Sequence, residues 1–327
     1  MDIFRTMLFV PGHNREWMLK ADRFGADALI LDLEDSVAVS RKQAAREMVA
    51  EILPTLSSGA VCLFVRVNGW STGELLKDLD AVCRAGLRGL MLPKVERAAD
   101  VESLAYLLAE METERGLAPG RIEIVPLLES ALGIRNTYEI AMASPRVLRI
   151  PGAGAVPPGG DINRAIGYLP TLDEQETLYL SSHIVLQARA AGIHNILSGF
   201  GASLSDAEVI RRSVLKARTL GANGGLAVHP TQVRVMNEIF SPSQQEIDHA
   251  AAIVFAMEEA LRRGDAAARV GAMMVDYAHA RSATDLLHRA ASLGLPVPQT
   301  PDLAVPDRDL ATSRNPRDAS MTNQERR

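Results

Sequence analysis

Cysteine is nearly absent from this chain of 327 residues; the two present are Cys62 and Cys83. One falls in a predicted strand and the other in a predicted helix. A disulfide framework and a cysteine-based metal cage are therefore excluded, and both thiols are expected to be reduced core residues. No apolar run approaches the roughly 20 residues that span a bilayer. The opening MDIFRTMLFVPG lacks the long apolar stretch of a signal peptide, so the expectation is a cytoplasmic protein. Positive charge is not in excess either: 35 Lys and Arg stand against 40 Asp and Glu, for a net charge of −5. Nothing in that balance favours nucleic acid or an anionic membrane as partner. There is no GxGxxG after the first strand, no Walker A loop and no GxSxG elbow. His183 and His194 do not have zinc-ligand spacing.

What the chain does have is one pattern, repeated. An apolar run ends abruptly on charge or a turn in LFVPG (8–12), ALILDLED (28–35), VCLFVRVNG (61–69), LMLPK (90–94), IEIVPLLES (122–130) and GLAVHP (225–230). Continuous apolar runs are the mark of parallel strands covered on both faces. Between them lie helical stretches. Asn14 is expected to cap one to about Phe24, and Ser40 another to about Ile52, with Pro54 just beyond its end. Asp100 caps one to about Arg115, and Ser205 with Glu208 matches a capping box. Strands six and seven are expected at Val147–Ile150 and Ile193–Leu197. Eight strand–helix alternations over roughly 240 residues predict an α/β fold, a (β/α)₈ TIM barrel with a C-terminal helical appendage.

The expected domains are a catalytic barrel over 1–242, a helical appendage over 243–295 and a tail over 296–327. The tail is Pro-rich, charged and poor in large apolar residues, so it is expected to be disordered or loosely draped.

Barrel enzymes place their chemistry at the C-terminal ends of the strands. Glu129 ends strand five there. It reads either as a structural ion-pair partner or as a metal ligand, with Asp161, after the Gly-rich loop PGAGAVPPGG, as the second ligand. Two carboxylates and retained waters suit Mg²⁺. Arg66 and Lys94 end strands three and four. They either bind substrate carboxylate or phosphate or neutralise Asp32, Glu34, Asp35 and Glu129. Glu34 and Asp35 are expected to hold metal waters and Lys94. Arg5, entering the first strand, could reach the mouth or form a surface salt bridge. His229 reads as a capping or packing residue. Asp276 lies in the appendage, where it could reach an active site across a subunit interface or by folding back.

Taken in order, LFVPG, DLEDSV, RVNG, LPKVE, PLLES, GGDINRAIG and AVHPTQVRVMNEIFSPS resemble the citrate lyase β-subunit-like proteins of the HpcH/HpaI aldolase superfamily. The resemblance covers roughly residues 5–290. It implies a Mg²⁺-dependent carbon–carbon lyase acting on a CoA or acyl-carrier thioester of a 3-hydroxy acid: malyl, citramalyl or citryl. By that resemblance Glu129 and Asp161 are the metal ligands, and Arg66 stands near the substrate carbonyl and carboxylate. Arg5 and Lys94 line the CoA and substrate mouth. Glu34 and Asp35 surround the metal, and Asp276 is the acid that a neighbouring subunit delivers in trimeric members. Three departures point to a divergent substrate. Gly225 stands where the family usually has Lys, the 151–160 loop is longer, and 194–206 lacks the usual acidic pattern. The alternatives are a malyl-CoA thioesterase on the same scaffold, an aldolase on free 2-oxo acids, and a non-catalytic assembly subunit.

Overall fold

The structure is a computed structural model. It describes residues 3–301 and 303, except 58, 60, 153–159, 200–203 and 205. The described residues fall into two compact units, one through Phe240 and one from Ser241.

The first unit is a (β/α)₈ barrel. Its strands are β1 (Thr6–Pro11), β2 (Ala28–Asp32), β3 (Cys62–Arg66), β4 (Gly89–Leu92), β5 (Glu123–Pro126), β6 (Arg149–Pro151), β7 (Asn195–Ser198) and β8 (Gly224–Ala227). All pair in parallel, in the order β5-β4-β3-β2-β1-β8-β7-β6. At the seam the Ile124 N–H donates to the Arg146 carbonyl at 2.9 Å, bringing β5 beside the approach to β6. Helices follow the strands, among them Lys42–Leu56, Leu75–Val82, Ala98–Glu114, Leu178–Ala190, Ala207–Thr219 and Pro230–Phe240.

Alternation along each strand divides the apolar residues into two layers. Leu8, Val10, Leu29, Leu31, Leu63, Val65, Leu90, Leu92 and Ile124 pack in one cluster with the helices. Met7, Ala28, Ile30, Phe64, Met91, Val125, Leu197 and Leu226 form the second, inside the barrel. The inward row therefore reads Ala28, Ile30, Asp32 on β2 and Cys62, Phe64, Arg66 on β3. On β5 it reads Glu123, Val125, then Leu127 and Glu129 past the strand end.

Charge at the N-terminal end of the barrel is paired as it is buried. Arg149, fully buried, donates to Glu123 Oε2 from Nε (3.0 Å) and Nη2 (2.8 Å), and to Asn195 Oδ1 from Nη1 (2.7 Å). Its guanidinium lies 4.1 Å from the Phe4 ring centroid. Arg5 belongs to this end too. It forks onto Asp27, Nε to Oδ2 at 3.0 Å and Nη2 to Oδ1 at 2.6 Å, where β1 and β2 begin.

Several local expectations shift. Asn14 caps as expected, its side chain accepting from Trp17 N, but the α-helix covers only Arg15–Lys20 before a 3₁₀ turn, Ala21–Phe24. Ser40 is not a cap; it sits in the 3₁₀ turn Val39–Arg41. Pro54 lies inside the Lys42–Leu56 helix. Proline has no N–H for the carbonyl four residues back, and that carbonyl, on Ala50, accepts from Arg84 Nη1 at 3.4 Å instead. The Ala207–Thr219 helix is capped by Asp206, while Ser205 lies outside the described residues. Cys83 is a buried thiol, pushed up to about 12 by burial, Cys62 is half-buried, and neither is in a disulfide. Gly225 faces the helix layer: a Cβ there would stand 2.6 Å from Ser198 Oγ and 3.2 Å from the Phe240 ring. The residue at 225 is thus constrained by packing between β8 and its helix.

The second unit contains Gln244–Arg262, an antiparallel pair β9 (Ala267–Val270) and β10 (Met273–Asp276), and Tyr277–Ser292. Residues 270–276 span the end of β9, its turn and β10. Val297 and Leu303 of the predicted tail pack on this unit's core; residues 302 and 304–327 lie outside the described residues. No helix among the described residues is long and apolar enough to cross a membrane.

Replacing Glu123 by Ala removes the carboxylate facing a fully buried guanidinium, and breaking such a pair costs about 3–5 kcal/mol. Denaturant titration of Glu123→Ala should show a loss of that size. A loss within experimental error would show that Asn195 and the phenylalanine rings hold Arg149 without it.

Candidate active site

At the other end of the barrel the strand ends bring Asp32, Glu34, Arg66, Lys94, Glu129 and Asp161 together. Asp32 and Arg66 are register partners across β2 and β3. Arg66 forks onto Asp32, Nε to Oδ1 and Nη2 to Oδ2, both at 2.7 Å. Its third nitrogen, Nη1, lies 3.1 Å from Glu34 Oε2 and 3.7 Å from Asp35 Oδ2. Phe9 lies beneath, its ring centroid 4.8 Å from the guanidinium carbon. Burial alone would raise the Asp32 carboxyl, but Arg66 outweighs it and holds the acid below its usual range. Burial likewise works against the Arg66 charge, and Asp32 more than reverses this. Asp32 also accepts the Glu34 and Ser36 N–H groups at 2.9 and 3.0 Å, so it fixes the turn that carries Glu34.

Lys94 joins three strand ends. Its ammonium lies 3.1 Å from Glu34 Oε1 and 3.3 Å from Asp161 Oδ2, and its backbone N–H donates to Glu129 Oε2 at 3.2 Å. It does this from the left-handed region, φ +55°, where a residue with a side chain is strained. Burial lowers the basicity of Lys94, and the contact with Glu34 more than reverses this.

The acids are less well compensated than the cations. Glu34 is buried, and burial, with Asp35 nearby, raises its carboxyl despite Arg66 and Lys94. Its Oε2 has an ion-pair contact with Arg66 but no hydrogen bond of good geometry. Glu129 is half-buried; burial first, then the charge of Glu34, push it up to about 7. Asp161 opens the Asp161–Ile166 helix and also meets Arg164 at 3.3 Å. Among the described residues no three His, Cys, Asp or Glu side chains form a complete metal cage. A pair of hard carboxylates beside a carboxyl left in excess of positive charge fits a cation that keeps most of its waters.

Arg5 is not among these groups, because its pairing with Asp27 keeps it at the start of β1. Asp35 is mostly exposed and meets the site at Arg66 Nη1, 3.7 Å away. His229 is exposed, bonded through Nδ1 to Thr231 Oγ1 at 2.9 Å. Asp276 belongs to the second unit and caps the Tyr277–Ser292 helix. Its Oδ1 takes the Ala278 N–H at 3.0 Å, the His279 N–H at 3.3 Å and His279 Nδ1 at 2.7 Å. Those bonds, led by the one from the His279 side chain, hold the exposed carboxyl below its usual range.

Sequence reasoning passed over the residues that act from behind the mouth: Lys42, Asn68, Asp78 and Arg46. Two carry a readable signal. Asp78 and Arg46 are charged residues at positions where the helical period calls for apolar ones, and each is buried against the other, Arg46 Nε to Asp78 Oδ1 at 2.8 Å. A groove of about 320 Å³ adjoins the ends of β1 and β8, lined by Phe9, Pro11, Trp17, Lys20, Phe24 and His229 among others.

The HpcH/HpaI aldolase/citrate lyase family model matches residues 5–230. The chain is 36% identical over 272 residues to the citrate lyase subunit beta of Leuconostoc mesenteroides subsp. cremoris, covering 83% of this chain and 88% of that one. It is 34% identical over 293 residues to a (3S)-malyl-CoA thioesterase of Cereibacter sphaeroides, covering 89% and 95%. Among solved structures it is similar to the Mycobacterium tuberculosis protein CitE in complex with magnesium, acetoacetate and coenzyme A. There the TM-score is 0.67 and identity 27%, over 88% of this chain and 97% of that one. A barrel with paired charges at its strand ends, matched over most of its length in sequence and shape, makes this chain a member of the HpcH/HpaI aldolase/citrate lyase family.

Proposed function

We propose that the chain is a Mg²⁺-dependent carbon–carbon lyase. It would cleave or form a CoA thioester of a 3-hydroxy dicarboxylic acid, giving acetyl-CoA and an oxo acid. The observation that carries this reading is the gathering of the carboxylates Glu129 and Asp161 around Lys94, with Glu129 pushed up by burial, next to an arginine already fixed by Asp32. The ion in the solved relative and the names of the curated relatives point the same way.

In this reading Glu129 and Asp161 hold the ion, and Glu34 and Asp35 hold its waters. Bound there, Mg²⁺ would polarise the hydroxyl and carboxylate oxygens of the acid half. Cleavage passes the proton of that hydroxyl to a carboxylate of the mouth, breaks the carbon–carbon bond to the thioester methylene, and leaves the oxo acid and the thioester enolate. Arg66 is suited to that enolate: two of its nitrogens are spent on Asp32, so Nη1 is oriented before substrate arrives. Lys94, reaching Glu34 and Asp161 from a strained turn, takes the substrate's free carboxylate. Asp276 exchanges a proton with the methyl carbon of the acetyl group. It gives a proton to the enolate carbon in cleavage and takes one back in the forming direction, and the second unit of a neighbouring copy in a homotrimer is its proposed source. The groove at the ends of β1 and β8 offers aromatic walls and Lys20 to the thioester's carrier, a role that Arg5 cannot fill from the opposite end of β1. A thioesterase is the second reading, favoured by the curated relative of that name. There water attacks the thioester carbonyl and the hydroxy acid leaves intact.

Malyl-, citramalyl- and citryl-CoA, each incubated with Mg²⁺ and with or without EDTA, should yield acetyl-CoA plus an oxo acid that disappears with EDTA. Free CoA plus intact hydroxy acid would establish the thioesterase instead. Glu129→Gln should abolish the Mg²⁺-dependent turnover without loss of folding, and an unfolded variant would make Glu129 a structural ion-pair member. Asp276→Asn should lower turnover by about 10²–10⁴-fold while Mg²⁺ binding, followed by calorimetry, is unchanged. A parallel loss of binding would remove Asp276 from the proton-transfer step.

A further inference from the structure

The Glu34 carboxylate lies between Arg66 and Lys94, 3.1 Å from each, and so links the two cations. Yet Glu34 lies past the end of β2, where no strand ladder holds it. Its backbone is fixed from two sides instead. On one side Asp32 accepts the Glu34 N–H. On the other the Lys42 ammonium donates to the carbonyls of Leu33 and Glu34, each at 2.7 Å. Those two carbonyls flank the Glu34 α-carbon. Once both peptide planes are held, the direction in which the side chain leaves the backbone is set.

The rest of the surroundings support the same two peptides. Asn68 Nδ2 gives the Leu33 carbonyl a second donor at 3.0 Å. Asn68 is held in turn by the fully buried Asp78, whose Oδ2 accepts its backbone N–H at 2.8 Å and its Nδ2 at 2.6 Å. Lys42 stands among four acids, Asp32, Glu34, Asp35 and Asp78, all of which favour its charge. Even so, among the described residues its ammonium forms hydrogen bonds with backbone carbonyls and no ion pair with any of these acids. A lysine serving only to balance charge would turn to a carboxylate.

We infer that Lys42 is a positioning residue for the proposed active site: by tying down the two carbonyls around Glu34, it holds that carboxylate between Arg66 and Lys94. The catalytic half of this inference rests on the function proposed above, while the structural half stands without it.

Lys42→Met keeps the apolar stem and removes the ammonium. Hydrogen exchange of the peptide spanning residues 33–38 should be faster in this variant, with global unfolding unchanged. Turnover of the thioester substrate should fall about 10–100-fold, the range for loss of an outer partner, in kcat rather than KM. Lys42→Arg should restore both readings. In a Glu34→Gln background Lys42→Met should cost little more, since a residue acting through Glu34 has nothing left to act on. Unaltered exchange in folded Lys42→Met would overturn the inference, and so would losses that simply multiply in the double variant. If the wild-type chain turns over no thioester, the functional proposal fails while exchange still decides whether Lys42 holds this turn. Should Lys42→Met not fold, Lys42→Gln, whose side chain is one atom shorter and stops short of the two carbonyls, gives the same two readings.

Discussion

The arginine–aspartate fork between β2 and β3 is the interaction on which the mouth of this barrel depends. Strand residues that alternate inward must place some charge inside a closed sheet, and charge there is tolerated only when paired. Asp32 and Arg66 meet in register, so the pairing needs no bend in either strand. The fork then does two further things. It leaves one arginine nitrogen facing Glu34, and it lends the Asp32 oxygens to the backbone of the next turn. Lys94 extends the network to β4, β5 and the Asp161 helix. Each acid at the mouth is thus oriented by a cation from a neighbouring strand, and the sum still leaves Glu129 and Glu34 raised.

Much of this was legible in the amino-acid order because a parallel strand covered on both faces is an apolar run, and its end is a change of chemistry. Glu129, Arg66 and Lys94 were visible as the first charges after such runs. Arg5 misled for the same reason: a charge before a run and a charge after one lie at opposite ends of the barrel, and proximity to β1 alone does not say which matters. Asp32 was underweighted beside Glu34 and Asp35. Strand alternation from Ala28 and Ile30 selects it as the inward acid, which composition of the DLED cluster does not. Helix ends were less readable. Ser40 lost the cap to a 3₁₀ turn, and Pro54 stayed helical because a distant arginine, Arg84, took the carbonyl it left.

Roles that depend on backbone shape were not legible at all. Nothing in LPKVE announces a lysine at φ +55°, and nothing in the Lys42 segment announces bonds to two carbonyls eight and nine residues earlier. Both follow from how turns meet after the strands have closed. Gly225 shows the converse. As a departure from the family pattern it suggested altered substrate contacts, whereas its place against Ser198 and Phe240 makes it a matter of fit between β8 and its helix.

The other end of the barrel gives the molecule a direction. Arg149, sealed beneath Phe4 and Phe64 and bonded to Glu123 and Asn195, fills the axis with tightly held groups. Above it the inner apolar layer fills the rest of the interior. The barrel is therefore closed along its axis, and a ligand of the mouth comes and goes on the one face where the strands end.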